Sequence, residues 1–221
     1  TERSGVEHLR REGQPQSAIA FVGHVMIDNL MHQVQKLSCL EPEKLFSTSL
    51  KSENYAVLTL HRPSNVDDPA TLARLAGALR EIAAELPVVF PVHPRTRKNL
   101  ERFGIPLDGI VTTPPLGYLD FLNLWKDARL VLTDSGGIQE ETTALGVPCL
   151  TLRENTERPI TVEEGTNELV GTDPARIVAG ARGILRGGGE AGRRPGLSDG
   201  GAAQRIVEHL HRFLSPLRKA A

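Results

Sequence analysis

The sequence predicts an α/β protein built on a doubly wound parallel sheet. Short apolar runs alternate with segments of helical periodicity along most of the 221 residues, an order typical of successive strand–helix units. The apolar runs are nearly continuous and do not alternate with polar residues, which indicates strands covered by helices on both faces. We therefore expect a Rossmann-like domain.

The predicted elements follow one another in a regular order. The predicted strands are Ala18–Val22, Tyr55–Leu60, Val88–Val92, Gly109–Thr113, Leu130–Thr133, Cys149–Leu152 and Glu168–Val170. The predicted helices are Val25–Lys36, Pro69–Leu86, Arg95–Phe103, Tyr118–Asp127, Ile138–Leu145 and Pro174–Leu185. In the helix that begins at Pro69, apolar residues recur at helical spacing, and proline is favoured in a first turn.

The chain divides into three predicted regions. Residues 1–186 form the Rossmann-like domain, and residues 187–201, with seven glycines, are expected to be a flexible segment. Residues 202–221 return to helical periodicity and form a predicted C-terminal helix. Its apolar face carries Ile206, Leu210, Phe213 and Leu214, so this helix must pack against another surface.

Composition excludes several classes of function. The net charge of -1 and the pI near 6.6 provide no basic field for nucleic acid. No apolar run approaches the length of a membrane span, and the N-terminus lacks a signal-like core. Cys39 and Cys149 show no metal spacing, so free thiols in a reducing compartment are predicted. We expect a soluble cytoplasmic protein.

Polar side chains follow the predicted strands at the edge where parallel sheets bind ligands. His61 and Arg62 come directly after Tyr55–Leu60, and His93 comes directly after Val88–Val92. A lone histidine usually has only a structural partner, but a second one at an equivalent junction favours a ligand-binding role.

A glycine pair follows the strand Leu130–Thr133. Gly136 and Gly137 let backbone amides approach a ligand, and the next helix directs free N–H groups and its positive dipole end outward. A diphosphate fits such a turn without net positive charge. Ser135 is interpreted either as the helix N-cap or as a phosphate donor. Glu141, four residues beyond Gly137, could accept hydrogen bonds from ribose hydroxyls, whereas the neighbouring Glu140 is assigned to a solvated face.

Arg158 directly precedes Pro159, a residue typical of the first helical position. A cation at a helix N-terminus opposes the helix dipole, and a bound anion would offset that cost. Arg158 is therefore a candidate phosphate ligand, the alternative being an ion pair with Glu157 or Glu163.

Three aromatic side chains, Tyr118, Phe121 and Trp125, recur at helical spacing in one predicted helix. Most aromatic residues in such a pattern belong to the core. One near the start of the helix could instead stack on a nucleobase.

Several motifs in this order resemble the non-hydrolysing UDP-N-acetylglucosamine 2-epimerase family. They are "LTLHRPSN", "FPVHPRT", "TDSGGIQEE", "RENTERP" and "GTNELVGTD", and the chain is similar to the C-terminal domain of that family. The resemblance runs from Thr1 to about Leu185 and again from Asp199 to Leu210. It implies the second domain of a glycosyltransferase-B-like fold, which holds UDP in an interdomain cleft.

The resemblance also implies roles for single residues. Ser135, Gly136 and Gly137 match the diphosphate-binding turn, Glu141 the ribose-binding carboxylate, and Arg158 an arginine near the phosphates.

Five further residues match family positions. Phe121 matches the aromatic residue beside the uracil, and the backbone at Leu116 the group that reads the base edge. His61 matches a catalytic histidine close to the sugar diphosphate. Arg62 and His93 match positions that hold a second, regulatory UDP-sugar in some bacterial members, although "HRPSN" departs from their "HRREN".

The reaction implied by the resemblance eliminates UDP with loss of the C2 proton and then adds UDP back. It interconverts UDP-GlcNAc and UDP-ManNAc for cell-surface polysaccharide biosynthesis, without cofactor or metal. The family's acid/base carboxylates lie in an N-terminal domain, and by the resemblance this sequence starts near the crossover between the two domains. This chain is therefore expected to bind UDP weakly, not to epimerise alone, and to pack its last helix on that domain. The resemblance implies a homodimer for the whole enzyme. A UDP-sugar glycosyltransferase of the same architecture and a non-catalytic UDP-sugar-binding module remain alternatives.

Overall fold

A computed structural model describes residues 1–37, 53–188 and 192–219 of the chain, with side chains up to residue 215. The chain forms two compact units. One contains Leu37–Arg194, and the other contains Thr1–Lys36 together with Pro195–Ala221. The predicted boundaries at residues 186 and 201 remain predictions.

The larger unit contains one six-stranded parallel sheet in the order β3-β2-β1-β4-β5-β6. The strands are β1 (Ala56–Thr59), β2 (Val88–Pro91), β3 (Ile110–Thr113), β4 (Leu130–Thr133), β5 (Cys149–Thr151) and β6 (Asn167–Leu169). The order reverses between β1 and β4, the switch point at which such sheets bind ligands. The predicted α/β class is confirmed.

Helices cover both faces of the sheet. The helices of this unit are α3 (Pro63–Val66), α4 (Pro69–Ala83), α5 (Pro94–Phe103), α6 (Tyr118–Trp125), α7 (Gly136–Leu145), α8 (Pro159–Glu163) and α9 (Pro174–Gly183). Helix α4 begins as its sequence predicts, because Asp68 accepts a hydrogen bond from the backbone of Thr71 and Pro69 follows it. The apolar face of α4 packs with β1, β2 and α9 in the main core.

The register of the central strands brings their carboxyl ends to one level. Thr59 of β1 pairs with Thr133 of β4, and Thr133 pairs with Thr151 of β5. The loops that follow these strands therefore start side by side. This edge of the sheet collects residues that are more than 70 positions apart in sequence.

The smaller unit contains α1 (Arg3–Arg11), α2 (Val25–Leu37) and α10 (Ala202–Lys219). The Asp28 carboxylate accepts hydrogen bonds from the backbone of Ala202 and Ala203, at 3.1 and 2.6 Å, and so caps α10. On α10, Leu210, Phe213 and Leu214 are exposed.

The predicted strand Ala18–Val22 is wrong. Residues Gln16–Ala18 form a single 3-10 turn, and residues 19–24 pair with no described strand. An apolar run becomes a strand only when a neighbouring strand accepts and donates its hydrogen bonds. Cys149 is a buried free thiol of β5, whereas Cys39 lies outside the described residues.

Candidate functional site

The candidate site lies at the carboxyl ends of β1, β4 and β5, next to the switch point of the sheet. Three loops meet there: the residues after Thr59, the turn after Thr133, and the connection from Thr151 to α8. Each of these loops carries residues that the sequence predicted to bind ligand.

The glycine turn forms the first part of the site. Helix α7 begins at Gly136, and Ser135 is its N-cap by backbone conformation, but the Ser135 side chain makes no capping hydrogen bond. A methyl group at Gly137 would meet no atom within 4 Å. The start of α7 therefore offers backbone N–H groups next to open space, as a bound anion requires. The role of the Ser135 hydroxyl as a phosphate donor stays a prediction.

Glu141 lies one helical turn further along α7 and is 7% exposed. Its Oε1 accepts a hydrogen bond of 2.9 Å from the Tyr118 hydroxyl, and its Oε2 is buried without a partner among the described residues. Burial raises the pKa of Glu141 above its usual range, the Tyr118 hydrogen bond lowers this pKa, and the charge of Glu140 raises it. A hydroxyl ligand would satisfy the second oxygen.

Arg158 is the N-cap residue of α8, as the sequence predicts, and its Nε lies 2.8 Å from Oε1 of Glu140. The alternative ion pair with Glu157 or Glu163 is replaced by one with Glu140, and Arg158 contacts Glu157 through the backbone carbonyl, to which its guanidinium donates at 3.3 Å. Glu140 is also not on a solvated face, since its side chain is only 10% exposed. The β5–α8 loop covers this side of α7, which local periodicity cannot reveal.

A buried polar network joins the glycine turn to the Arg158 loop. Gln139 donates from Nε2 to the Ser135 carbonyl at 3.2 Å and accepts at Oε1 from Thr156 at 2.5 Å. Thr156 Oγ1 in turn accepts from the Arg158 backbone N–H at 2.9 Å, and Asn167 donates to Gln139 Oε1 at 3.3 Å. Sequence reasoning missed Gln139, although a glutamine in the first turns of a covered helix was an available signal.

Asp134 is the second residue that sequence reasoning missed. It is fully buried, and its carboxylate lies 2.9 Å from Nδ1 of His61. The same carboxylate accepts from the backbone N–H of His61 and of Arg62, and from Asn65 Nδ2 at 3.2 Å. Its signal in the sequence was an acidic residue at the end of a fully apolar strand.

His61 is half-buried, and its hydrogen bond to Asp134 raises the pKa of the imidazole, although burial and the nearby Arg62 charge oppose this rise. The ring of His93 lies 5.9 Å from that of His61, centroid to centroid. His93 Nδ1 accepts the backbone N–H of Arg95 and so caps α5. The structure thus brings His61 and His93 together, and a ligand-binding role for the two stays a prediction.

Arg62 extends from the same loop to the other side of Asp134. Its Nε donates to the Asp134 carbonyl at 3.2 Å, and its guanidinium lies 3.4 Å from Oε1 of Glu157. Arg153 donates two hydrogen bonds, of 2.7 and 2.8 Å, to the Glu157 carboxylate. Those bonds lower the pKa of Glu157 to about 2, so this carboxylate is ionised. A methyl group at Gly136 would lie 3.7 Å from Glu157 Oε2, which places this charge beside the glycine turn.

The aromatic side chains of α6 have separate environments. Trp125 is fully buried and belongs to the core, whereas Phe121 is half-buried. Tyr118 contacts Glu141, so the first turn of α6 lies beside α7. Leu116, in the loop before α6, is also half-buried. The assignment of Phe121 and Leu116 to a nucleobase stays a prediction.

The described residues contain neither a metal-binding cluster nor a membrane-spanning helix. Within residues 1–37, 53–188 and 192–219, no group of three or more His, Cys, Asp or Glu side chains is arranged to hold a metal ion. Over the same ranges, no helix has the length and apolar character needed to span a bilayer.

Known proteins resemble this chain over nearly its whole length. The family model described as UDP-N-acetylglucosamine 2-epimerase matches residues 1–211. A relative of that name from Methanococcus maripaludis is 40% identical over 187 residues, which cover 80% of this chain and 50% of the relative. A UDP-2,3-diacetamido-2,3-dideoxy-D-glucuronate 2-epimerase from Pseudomonas aeruginosa is 39% identical over 205 residues, covering 87% of this chain and 56% of the relative.

A solved structure is also similar to most of this chain. The crystal structure of the Methanocaldococcus jannaschii UDP-GlcNAc 2-epimerase in complex with UDP-GlcNAc and UDP has a TM-score of 0.82 and 36% identity. The match covers 94% of this chain and 58% of that one. The chain thus spans about half the length of the curated relatives it matches.

Proposed function

The chain belongs to the UDP-N-acetylglucosamine 2-epimerase family, and from that premise we propose that it is the UDP-binding half of a UDP-GlcNAc 2-epimerase. The whole enzyme would interconvert UDP-GlcNAc and UDP-ManNAc. The chain spans about half of its relatives, so the other half would supply the remaining groups of the site.

The observation that carries this proposal is the position of Glu141 relative to the glycine turn. Four residues of helix separate Gly137 from Glu141, a rise of about 6 Å along α7. A nucleoside diphosphate with its phosphates at the turn would bring its ribose near this carboxylate. The buried Oε2 of Glu141 has no partner in the described part of the chain and would accept a ribose hydroxyl.

The diphosphate would be held mainly by fixed local donors. The N–H groups at Gly136 and Gly137 supply the turn, with the Ser135 hydroxyl beside them, and Arg158 adds a cation from the start of α8. Phe121 and the backbone at Leu116, in and before α6, would contact the uracil. This arrangement suits a chain of near-zero net charge.

The proposed chemistry divides between the two halves of the enzyme. A base breaks the C2–H bond of the sugar, the C1–O bond breaks, and UDP leaves with that electron pair to give a glycal. Re-addition of UDP with protonation from the opposite face of C2 gives the epimer. His61, whose charged form is favoured by the hydrogen bond to Asp134, would stabilise the departing diphosphate. The acid/base carboxylates would come from the other half, so this chain alone is expected not to epimerise.

The sugar is assigned from the names of the relatives. The Pseudomonas relative acts, by its name, on a diacetamido uronate, whereas the archaeal relatives act on UDP-GlcNAc. We propose UDP-GlcNAc because the family model and the relative of highest identity among these carry that name. Comparing turnover of both nucleotide sugars by the whole enzyme decides between them.

The remaining assignments belong to the same proposal. Arg62 and His93 would hold a second, regulatory UDP-sugar beside the first. Two contacts support this proposal: the His93 ring lies 5.9 Å from that of His61, and the Arg62 backbone N–H binds the same Asp134 carboxylate as His61. The exposed apolar side chains of α10 would be covered by the other half of the enzyme. A homodimer, a cytoplasmic location and a role in cell-surface polysaccharide biosynthesis complete the proposal.

Isothermal titration of this chain with UDP tests the binding site. Glu141→Gln should weaken UDP binding about tenfold, because it removes a charged acceptor from a buried position. Glu101→Gln, on the exposed side of α5, is the matched control and should leave the affinity unchanged. Equal affinities for all three proteins would refute the assignment of Glu141.

The reaction itself is tested with the whole enzyme in deuterated water. Deuterium at C2 of recovered UDP-GlcNAc supports epimerisation. Transfer of the sugar to an acceptor without C2 exchange would support a glycosyltransferase instead. Tight UDP-GlcNAc binding by this chain alone, with no turnover by any longer form, would support a non-catalytic binding module.

A further inference from the structure

We propose that Asp134 is a positioning residue that fixes the tautomer and orientation of the His61 imidazole. The role of this contact in catalysis rests on the function proposed above. The tautomer of His61 follows from the geometry alone. The proposal starts from the contact between Asp134 Oδ1 and His61 Nδ1, at 2.9 Å.

Every other group on the Asp134 carboxylate is a donor. The backbone N–H of His61 lies 3.0 Å from Oδ2, that of Arg62 lies 2.9 Å from it, and Asn65 Nδ2 lies 3.2 Å from it. A fully buried carboxylate in such surroundings acts as an acceptor, so the ring nitrogen must be the donor. In neutral His61 the proton therefore lies on Nδ1, and Nε2 is the free acceptor.

The same contacts fix the direction of the ring. The carboxylate holds both the backbone at His61 and Nδ1 of its side chain, while Asn65 is anchored by a second bond of 2.9 Å to the Leu152 carbonyl. Residues that follow β1 thus bind the carboxylate that follows β4, and Asn65 links them to the residue that follows β5. Nε2, on the opposite side of the ring, remains available to a ligand, and it carries a proton when the imidazole is charged.

His93 provides an internal contrast. Its Nδ1 accepts the backbone N–H of Arg95 at 3.2 Å, so neutral His93 must carry its proton on Nε2. Two histidines whose rings are 5.9 Å apart are thereby held in opposite tautomers. Only the one bonded to a carboxylate presents an unprotonated Nε2 in its neutral form.

In the described part of the chain, Asp134, Arg62 and His93 face the His61 imidazole, and Arg62 leads on to Glu157 and Arg153. Arg153 and Glu157 pair with each other, and Arg62 lies against Glu157, so these three side chains carry a combined charge of +1. The hydrogen bond from Asp134 is the largest influence on the pKa of the His61 imidazole, and it favours the charged ring. A ring held in this way can deliver a proton or a positive charge to an anionic leaving group through Nε2.

Nitrogen-15 NMR of the histidine side chains tests the proposal in this chain without reference to activity. His61→Gln assigns the His61 signals, and His93→Gln assigns those of His93. Above the pKa of the ring, His61 should show the Nδ1–H tautomer and His93 the Nε2–H tautomer. An Nε2–H tautomer at His61 would overturn the proposal.

Asp134→Asn then removes the charge while keeping an oxygen for the backbone N–H groups. We expect His61 to change to the Nε2–H tautomer with a lower pKa, and His93 to keep its own tautomer. Persistence of Nδ1–H at His61 would contradict the positioning role. If Asp134→Asn does not fold, the tautomers of the unsubstituted chain decide the question.

Titration with UDP separates this inference from the proposed function. UDP should shift the Nε2 signal of His61. Asp134→Asn should weaken UDP binding about tenfold at pH 7, because a hydrogen bond from the charged His61 imidazole to UDP contributes about 1.4 kcal/mol or more and the substitution disfavours that charged form. UDP binding without any shift at His61 would contradict the role of His61 in the proposed function. The observed tautomers would still support the role of Asp134.

Discussion

Glu157 places a negative charge beside the turn proposed to hold a diphosphate, and removing that charge should strengthen UDP binding. Its Oε2 would lie 3.7 Å from a methyl group at Gly136, and its pKa of about 2 keeps it ionised throughout the neutral range. It also takes two hydrogen bonds from Arg153 and lies 3.4 Å from Arg62. The three side chains carry a combined charge of +1, which Glu157→Gln changes to +2.

The size of the effect follows from distance and exposure. Unit charges about 4 Å apart interact by roughly 4 kcal/mol in surroundings of intermediate polarity and by roughly 1 kcal/mol in water. The Glu157 side chain is 52% exposed, so solvent screening brings the value close to the lower limit. We therefore expect Glu157→Gln to tighten UDP binding by roughly five- to tenfold, or about 1–1.4 kcal/mol.

Calorimetry with two ligands makes this prediction specific. UDP should bind more tightly to Glu157→Gln than to the unsubstituted chain, and the difference should shrink at high salt. Uridine lacks the diphosphate and should bind both proteins equally. The reasoning is refuted if Glu157→Gln leaves UDP affinity unchanged or weaker, or if uridine gains as much as UDP does.

Three further predictions concern stability and binding. Gly137→Ala should stabilise the chain by about 0.5–1 kcal/mol against urea, because alanine favours helix and its Cβ meets no atom, yet it should weaken UDP binding by filling the space over the turn. Gain of stability without loss of affinity would contradict the assignment of the turn. Gln139→Ala should cost about 2–4 kcal/mol in the free energy of unfolding, because it leaves buried side chains without their acceptor. In urea titrations Glu101→Ala serves as the exposed control, and a cost below about 1 kcal/mol would show that the network is unimportant. The raised pKa of His61 adds stability that is fully present below its ordinary value of 6.5 and is lost as pH rises through the folded-state value. Unfolding measured between pH 6 and 9 should show this loss in the original chain and not in Asp134→Asn.

The sequence by itself determined the class of fold and the strand ends that carry the site. Six of the seven predicted strands are present, because apolar runs of that length, punctuated by helices, are buried in a parallel sheet wherever the chain places them. The glycine pair, the histidines and Arg158 could be found because each directly follows a predicted strand or begins a predicted helix. The strand at Ala18–Val22 failed because a local pattern cannot supply a hydrogen-bonded neighbour.

Only the tertiary structure decided how those residues act on one another. Asp134 and His61 are 73 positions apart, and Gln139 and Asn167 are 28 apart, so neither contact follows from local spacing. Glu140 appeared solvated because the loop that covers it comes from the following strand. Periodicity records which face of an element is apolar, whereas the partner of a buried polar group is set by the register of β1, β4 and β5, which brings distant loops to one edge of the sheet.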